Sequence, residues 1–285
     1  MFTTLITCTE LQALQQSAAP LLIVDCTADL MNPAAGLRQF LDAHIPGATH
    51  ADLDHDLSAH GVADAASGGR HPLPRREVFA HWLRQIGLRT DTQVVVYDRN
   101  GLNFCGRLWW MLKWAGHEAV AVLDGGLAAW TAAGGAVESG PAIPRTPSNW
   151  TLQSPLRTLV SADEVLAHLD QPDQTLIDAR AAPRYRGEVE PLDPVAGHIP
   201  GALNRPFGLN LDEQGRFKTA ATLRTEFEAL LAGRDPASVV HQCGSGVSAL
   251  PNLLAMEVAG FAPTRLFAGS WSEWCRDPSR PVAKG

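Results

Sequence analysis

What this sequence lacks narrows it before any motif is read. No run of about 18 apolar residues occurs, so no membrane-spanning helix is expected. The opening MFTTLITCTE has no basic segment followed by an apolar stretch, so no secretory signal is expected and the expected compartment is the cytoplasm. Cysteine is sparse and unpaired in pattern. There are five, Cys8, Cys26, Cys105, Cys243 and Cys275, with no CxxC, which fits neither a disulfide framework nor a zinc site. Basic residues are outnumbered, 23 Lys and Arg against 30 Asp and Glu, and the net charge of -7 argues against nucleic acid or an anionic membrane as the main partner. It leaves room for a local basic pocket that binds a small anion. No charge block or amphipathic seam names a protein partner. What remains, 45% hydrophobic and 19% charged residues over 285 positions, describes an ordinary globular chain of one large or two average domains.

Self-similarity settles the count in favour of two. Residues 94–130 slide onto 238–274 at a constant offset of 144 without a gap. Val95-Val96 fall on Val239-Val240, Ala115-Gly116 on Ala259-Gly260, Gly125 on Gly269 and Trp130 on Trp274. Earlier in each half, Val24-Asp25 matches Ile177-Asp178, and AHIPGA from Ala43 matches GHIPGA from Gly197. Thr7 with Glu10 and Ser161 with Glu164 both have the spacing of a helix capping box. Between the halves, Pro141, Pro144, Pro147 and Pro155 punctuate a stretch poor in aliphatic residues. The expected organisation is therefore a domain over 1–140, a linker over 141–154 and a second domain over 155–285.

Short apolar runs alternate with helical patterns in each half. LLIVD (21–25), QVVVYD (93–98) and AVAVLDGG (119–126) predict strands. EVFAHWLRQIG (77–87) and LWWMLKWAG (108–116) predict helices that stop at glycine. Continuous apolar strands separated by helices imply α/β folding, with a mostly parallel sheet covered on both faces. In such sheets ligands bind beyond the carboxyl ends of the strands.

HQCGSGVSAL, from His241, sits at such a strand end. A cysteine without context is more often a small buried hydrophobe than a nucleophile. Here Gly244 and Gly246 free the backbone to turn successive N–H groups toward one point. The helix that follows, with Pro251 in its first turn, adds the positive end of its dipole. Such a cradle favours a thiolate and can hold an anion, or a second sulfur carried on the first. The thiol is present in only one copy of the repeat, because Cys243 overlays Arg99. Two rival readings are weaker. Gly244-x-Gly246-x-x-Ala249 matches a dinucleotide fingerprint, but Ala262 to Leu266 supplies no acidic partner. A cysteine phosphatase needs arginine six residues after the thiol, and that position is Ala249.

Together the repeated HIPGA, the VVVYD and LDGGLAAW of the first half, and the CGSGVSA and AGSWSEW of the second resemble the two-domain rhodanese family of sulfurtransferases over nearly the whole chain. The resemblance implies two tandem rhodanese-like domains, each a mostly parallel sheet with helices on both faces, the first non-catalytic and the second catalytic. It implies that Cys243 takes a sulfane sulfur as a persulfide and passes it to a thiol or cyanide acceptor, with no metal or organic cofactor. CGSGV looks more like the 3-mercaptopyruvate branch than the thiosulfate branch, whose loop usually carries basic residues. Thiosulfate:cyanide transfer by the same persulfide is the alternative donor reading, and a non-catalytic sulfur-carrier or binding module is the alternative of another class. Arg184 in APRYRGEVEP corresponds to the arginine that grips the donor's anionic group, and Gly244, Gly246, Val247 and Ser248 would line the cradle. A second arginine usual in the mercaptopyruvate branch is replaced by Leu192, which predicts weak donor binding unless Arg186 compensates. By the same resemblance Ser245, His71 and Asp54 would move the proton that the pyruvate product needs. Leu250-Pro251 departs from the family's usual residues at the start of the helix. Trp271 and Trp274 would pack beside the site.

Overall fold

The computed structural model describes every residue from Met1 to Gly285. The chain forms two compact units. The first comprises Met1–Ala59, Pro74–Leu156 and Glu213–Arg216; the second comprises His60–Leu73, Arg157–Asp212 and Phe217–Gly285. Neither unit is one continuous stretch of sequence.

In the first unit the strands are β1 (Leu5–Ile6), β2 (Leu21–Asp25), β3 (Thr49–His50), β4 (Gln93–Tyr97) and β5 (Val120–Leu123). They pair in the order β1-β5-β4-β2-β3, and every pairing is parallel. In the second unit β6 (Thr158–Leu159), β7 (Thr175–Asp178), β8 (Leu203–Asn204), β9 (Val239–Gln242) and β10 (Arg265–Leu266) repeat that order as β6-β10-β9-β7-β8, again all parallel. Helices α1 (Cys8–Gln16), α2 (Ala35–Asp42), α3 (Arg76–Gln85), α4 (Cys105–Trp114) and α5 (Gly126–Ala132) accompany the first sheet, and α6 (Ala162–Ala167), α7 (Ala182–Tyr185), α8 (Ala220–Leu231), α9 (Leu250–Val258) and α10 (Ser270–Trp274) the second. The fold is α/β twice over.

Local chemistry explains the element ends. Both capping boxes form, Thr7 with Glu10 and Ser161 with Glu164, each satisfying N–H groups that a helix start leaves open. α3 and α4 are followed by Gly87 (φ 78°) and Gly116 (φ 91°), in the left-handed conformation that ends a helix cheaply. α4 starts at Cys105, three residues before the predicted start. The Asp98 carboxylate accepts the N–H groups of Phe104 and Cys105 and so supplies the missing cap. The two-residue strands β1, β3, β6, β8 and β10 are too short to show any periodicity in sequence.

The cores follow the repeat. Trp130 and Trp274 are both buried, and each indole donates to a carbonyl just beyond its helix, Trp130 to Ala136 and Trp274 to Pro281. At roughly 25 cal/mol per Å² over about 200 Å², each contributes ~5 kcal/mol of gross burial. The proline-punctuated stretch after residue 140 has no helix or strand. It lies along the first unit, where Ser148 N–H donates to Arg84 O, Gln153 N–H to Ala115 O, and the Trp150 ring is buried.

Candidate active site

Cys243 follows the central strand β9 at the carboxyl edge of the second sheet, and is 2% exposed. Its loop is closed from two sides. Cys243 N–H donates to Ser270 Oγ at 3.1 Å, while the Cys243 and Gly244 carbonyls accept from Trp271 N–H and Ser272 N–H in α10. Ser270 is therefore a structural part of the site, although sequence reading gave it no role. It holds φ at 56°, a conformation that costs a non-glycine residue about 1 kcal/mol. Its counterpart in the first repeat is Gly126, at φ 58°, where the strain is absent.

The two loop glycines have different reasons. Gly246 stands at φ 75°, and a Cβ there would lie 2.1 Å from Ala268 O. Gly244 faces two arginine side-chain ends. A Cβ there would meet Arg70 Nη2 at 3.3 Å and Arg184 Nη1 at 3.4 Å. Two guanidiniums therefore stand against the loop that carries the thiol. Val247 is buried, Ser248 is half-buried, and the turn leads into α9 with Pro251 in its first turn.

Arg70 and Arg184 reach this place by different routes. Arg184 lies on the short α7. Its Nε and Nη2 are 3.3 and 2.6 Å from the two oxygens of Glu190, so the fork is occupied by this carboxylate and the Nη1 side faces the loop. Arg70 is held by its own backbone, whose N–H donates to Ser272 Oγ at 2.9 Å, and by a pair with Asp193. Asp193 also contacts Arg184 Nη2 at 3.4 Å. Arg186 sits at the surface with both ends of its fork on Glu188. Leu192 is exposed, and its N–H donates to Glu190. Nothing in the local sequence around Arg70 shows that it meets a loop 174 residues away.

His71 belongs to the second unit, with residues 60–73, although it precedes most of the first in sequence. Its Nδ1 is 2.7 Å from Ser245 Oγ, and both side chains are buried. The segment that carries it turns back on itself through Leu73 N–H to Ser67 Oγ and Ala66 N–H to Leu73 O. Gly69 lets it run close to α10, since a Cβ there would be 2.5 Å from Gly269 O. Asp54 lies in the first unit, in the turn where its N–H donates to Asp52 Oδ1 at 2.8 Å.

The first repeat differs at the matching loop. There Asp98, at the end of β4, accepts N–H groups from Asn100, Leu102, Phe104 and Cys105 at 2.8 to 3.0 Å. That loop is filled by its own carboxylate. The overlaid residue in the second repeat is Gln242, neutral and fully buried, whose amide has no hydrogen-bond partner in the protein. The other four thiols are all buried, and burial pushes each of them up, Cys26 and Cys105 furthest. Trp271 is fully buried beside the site; its indole donates to Val195 O, and the Arg180 guanidinium lies 4.8 Å over its ring. No helix is long and apolar enough to cross a membrane.

The sequence matches the Rhodanese-like domain family over residues 7–133 and again over 161–277. It is 49% identical to the "Probable 3-mercaptopyruvate sulfurtransferase" of Pseudomonas aeruginosa over 96% of this chain and 95% of that one. It is 41% identical to a Mycobacterium tuberculosis protein named provisionally as a thiosulfate sulfurtransferase, over 99% of this chain and 97% of that one. Among solved structures, the 3-mercaptopyruvate sulfotransferase of Escherichia coli superposes with a TM-score of 0.77 at 31% identity, covering 95% of this chain and 100% of that one. The 3-mercaptopyruvate sulfurtransferase from Leishmania major gives 0.81 at 30% identity, over 96% of this chain and 74% of that one. With two matched domains and a cysteine loop in the second alone, the chain belongs to the rhodanese family, as a two-domain sulfurtransferase.

Proposed function

We propose that the protein takes sulfur from 3-mercaptopyruvate and delivers it to a thiol or cyanide through a persulfide on Cys243. The observation that carries this reading is the pairing of an uncharged thiol loop with the His71 and Ser245 contact at its side. The Cys243 thiolate attacks the donor sulfur. The carbon–sulfur bond breaks, its electron pair passes to the pyruvate enolate, and the outer sulfur keeps its hydrogen on Cys243. The enolate carbon needs a proton, and the Ser245 hydroxyl backed by the His71 imidazole can deliver one. Asp54 is the acid that the family resemblance assigns behind His71. An acceptor thiolate then attacks the outer sulfur and releases Cys243 as thiolate. Covalent transfer in two halves predicts ping-pong kinetics.

Thiosulfate is the competing donor, favoured by the name given to the mycobacterial relative. Its leaving group is sulfite, which departs with the electron pair and needs no proton, so the serine and histidine would have no task. Steady-state kinetics with both donors in parallel, on the wild type and on Cys243→Ser, test the reading. The expected result is a higher kcat/KM for 3-mercaptopyruvate and no transfer by Cys243→Ser with either donor. Preference for thiosulfate would overturn the donor, and activity in Cys243→Ser would overturn the nucleophile and leave a sulfur-binding module.

A further inference from the structure

Residues 60–73 carry no helix or strand of their own, yet within the second unit they deliver His71 to Ser245. The backbone just ahead of the ring is tied to α10. Gly68 N–H donates to Glu273 Oε2 at 3.3 Å, and Arg70 N–H donates to Ser272 Oγ at 2.9 Å. The two acceptors are consecutive residues of α10, and the two donors are alternate residues leading up to His71. Two glycines leave room for the acid. A Cβ on Gly68 would lie 2.6 Å from Glu273 Cδ, and one on Gly269 would overlap Glu273 Oε2. The carboxylate therefore sits between the segment and the turn that opens α10. Burial there pushes its pKa up, and Arg280 and the Gly68 N–H draw it back.

The first repeat serves as a control. At the offset of 144, Ser272 and Glu273 fall on Ala128 and Ala129, which offer no side-chain acceptor. The space beside Gly125 is taken instead by Arg216, whose Cγ would be 3.2 Å from a Cβ on that glycine. Both acceptors occur only in the copy that carries the thiol. We propose that Glu273 is a positioning residue for sulfur transfer: its carboxylate, with Ser272 beside it, holds the 60–73 segment so that the His71 ring stays on the Ser245 hydroxyl. It acts through the Gly68 backbone and not on the donor. A hydrogen bond to a charged acceptor is worth more than a neutral one. A catalytic pair works only when held to within about 0.5 Å of its productive geometry. Loss of the carboxylate frees the backbone three residues before His71, and the ring then spends less time within reach of Ser245. This role rests on the proton transfer assigned to His71 above.

The test compares Glu273→Ala, Glu273→Gln and Gly68→Ala on the full chain. Glutamine keeps an acceptor oxygen of the same reach, and alanine removes it. A Cβ on Gly68 displaces the carboxylate without altering it, and Gly68 is not among the positive-φ glycines, so that variant strains no backbone. Amide hydrogen exchange over residues 66–73, followed by mass spectrometry, is expected to quicken about tenfold in Glu273→Ala and Gly68→Ala, the scale of one lost hydrogen bond to a charged group. It should stay near wild type in Glu273→Gln, and exchange in α9 should not change in any variant. In the same two variants kcat for 3-mercaptopyruvate should fall by a similar factor with KM little moved. Thiosulfate transfer should fall far less, since sulfite needs no proton. Unchanged exchange over 66–73, quickening of α9 to the same extent, or equal losses with both donors would each overturn the proposal and leave Glu273 as general packing. If wild-type protein proves unable to use 3-mercaptopyruvate, the donor reading is lost, while exchange over 66–73 still decides whether Glu273 holds the segment.

Discussion

His71 Nδ1 and Ser245 Oγ lie 2.7 Å apart, although 174 positions separate them in the chain. Under the proposed function the pair moves a proton near the thiol, and the two candidate donors differ on that point. Pyruvate enolate must be protonated, and sulfite need not be. His71→Asn and Ser245→Ala are therefore expected to lower kcat for 3-mercaptopyruvate by ~100-fold, the usual scale of a lost general acid. Residual thiosulfate transfer should fall far less. Parallel kinetics of each variant with both donors give the answer, and equal losses with both would mean that the pair merely shapes the loop.

Ser270 combines a strained backbone with a useful hydrogen bond. At φ 56° it donates to Phe267 O and accepts from Cys243 N–H. Ser270→Ala loses both bonds and keeps the strain, whereas Ser270→Gly loses the bonds and relieves it. The alanine variant should therefore be less stable than the glycine variant by about 1 kcal/mol, and both should be less stable than wild type. Denaturant melts of the three proteins would show the order. A glycine variant no more stable than the alanine variant would mean that the bond, and not the backbone, carries the whole effect.

The architecture was readable because it is written twice. VVVY of β4 and VVHQ of β9 are continuous buried strands that announce a parallel sheet, and Trp130 and Trp274 fix the register of the copies. Cys243 and its glycines were legible because strand, small-residue loop and helix are contiguous. Arg70 was not, since its meaning depends on residues 60–73 packing with the second unit, a long-range fact that no local pattern carries. The same holds for Asp193, whose neighbours Glu190 and Leu192 drew attention only through a family motif. Ser270 could have been suspected from the overlay, where a glycine in one copy faces a serine in the other at matching positive φ.

His241 precedes the site by two residues in β9 and is fully buried, with no hydrogen-bond partner in the protein for either ring nitrogen. Burial first, and the positive charge of Arg205 second, push its pKa down to about 3. An unfolded histidine titrates near ~6.5. Between these values the unfolded chain binds the proton and the native one does not, so stability rises with pH across that window. Its contribution is complete above about pH 6.5 and is lost as the medium is acidified toward 3. From pH 6.5 to 5.0 this one ring should cost the protein about 2 kcal/mol. His117, also lowered by burial, adds to the trend, and the exposed His55, raised by Asp52, opposes it. His241→Leu removes the titrating ring and the unpartnered polar atoms together. Its stability should be at least that of wild type at pH 7.5 and should fall less steeply below pH 6.5, since orphaned buried groups cost ~1–3 kcal/mol. Urea melts at pH 7.5, 6.5, 5.5 and 5.0 measure both slopes; parallel curves for the two proteins would show that His241 is protonated as easily in the native state as in the unfolded chain.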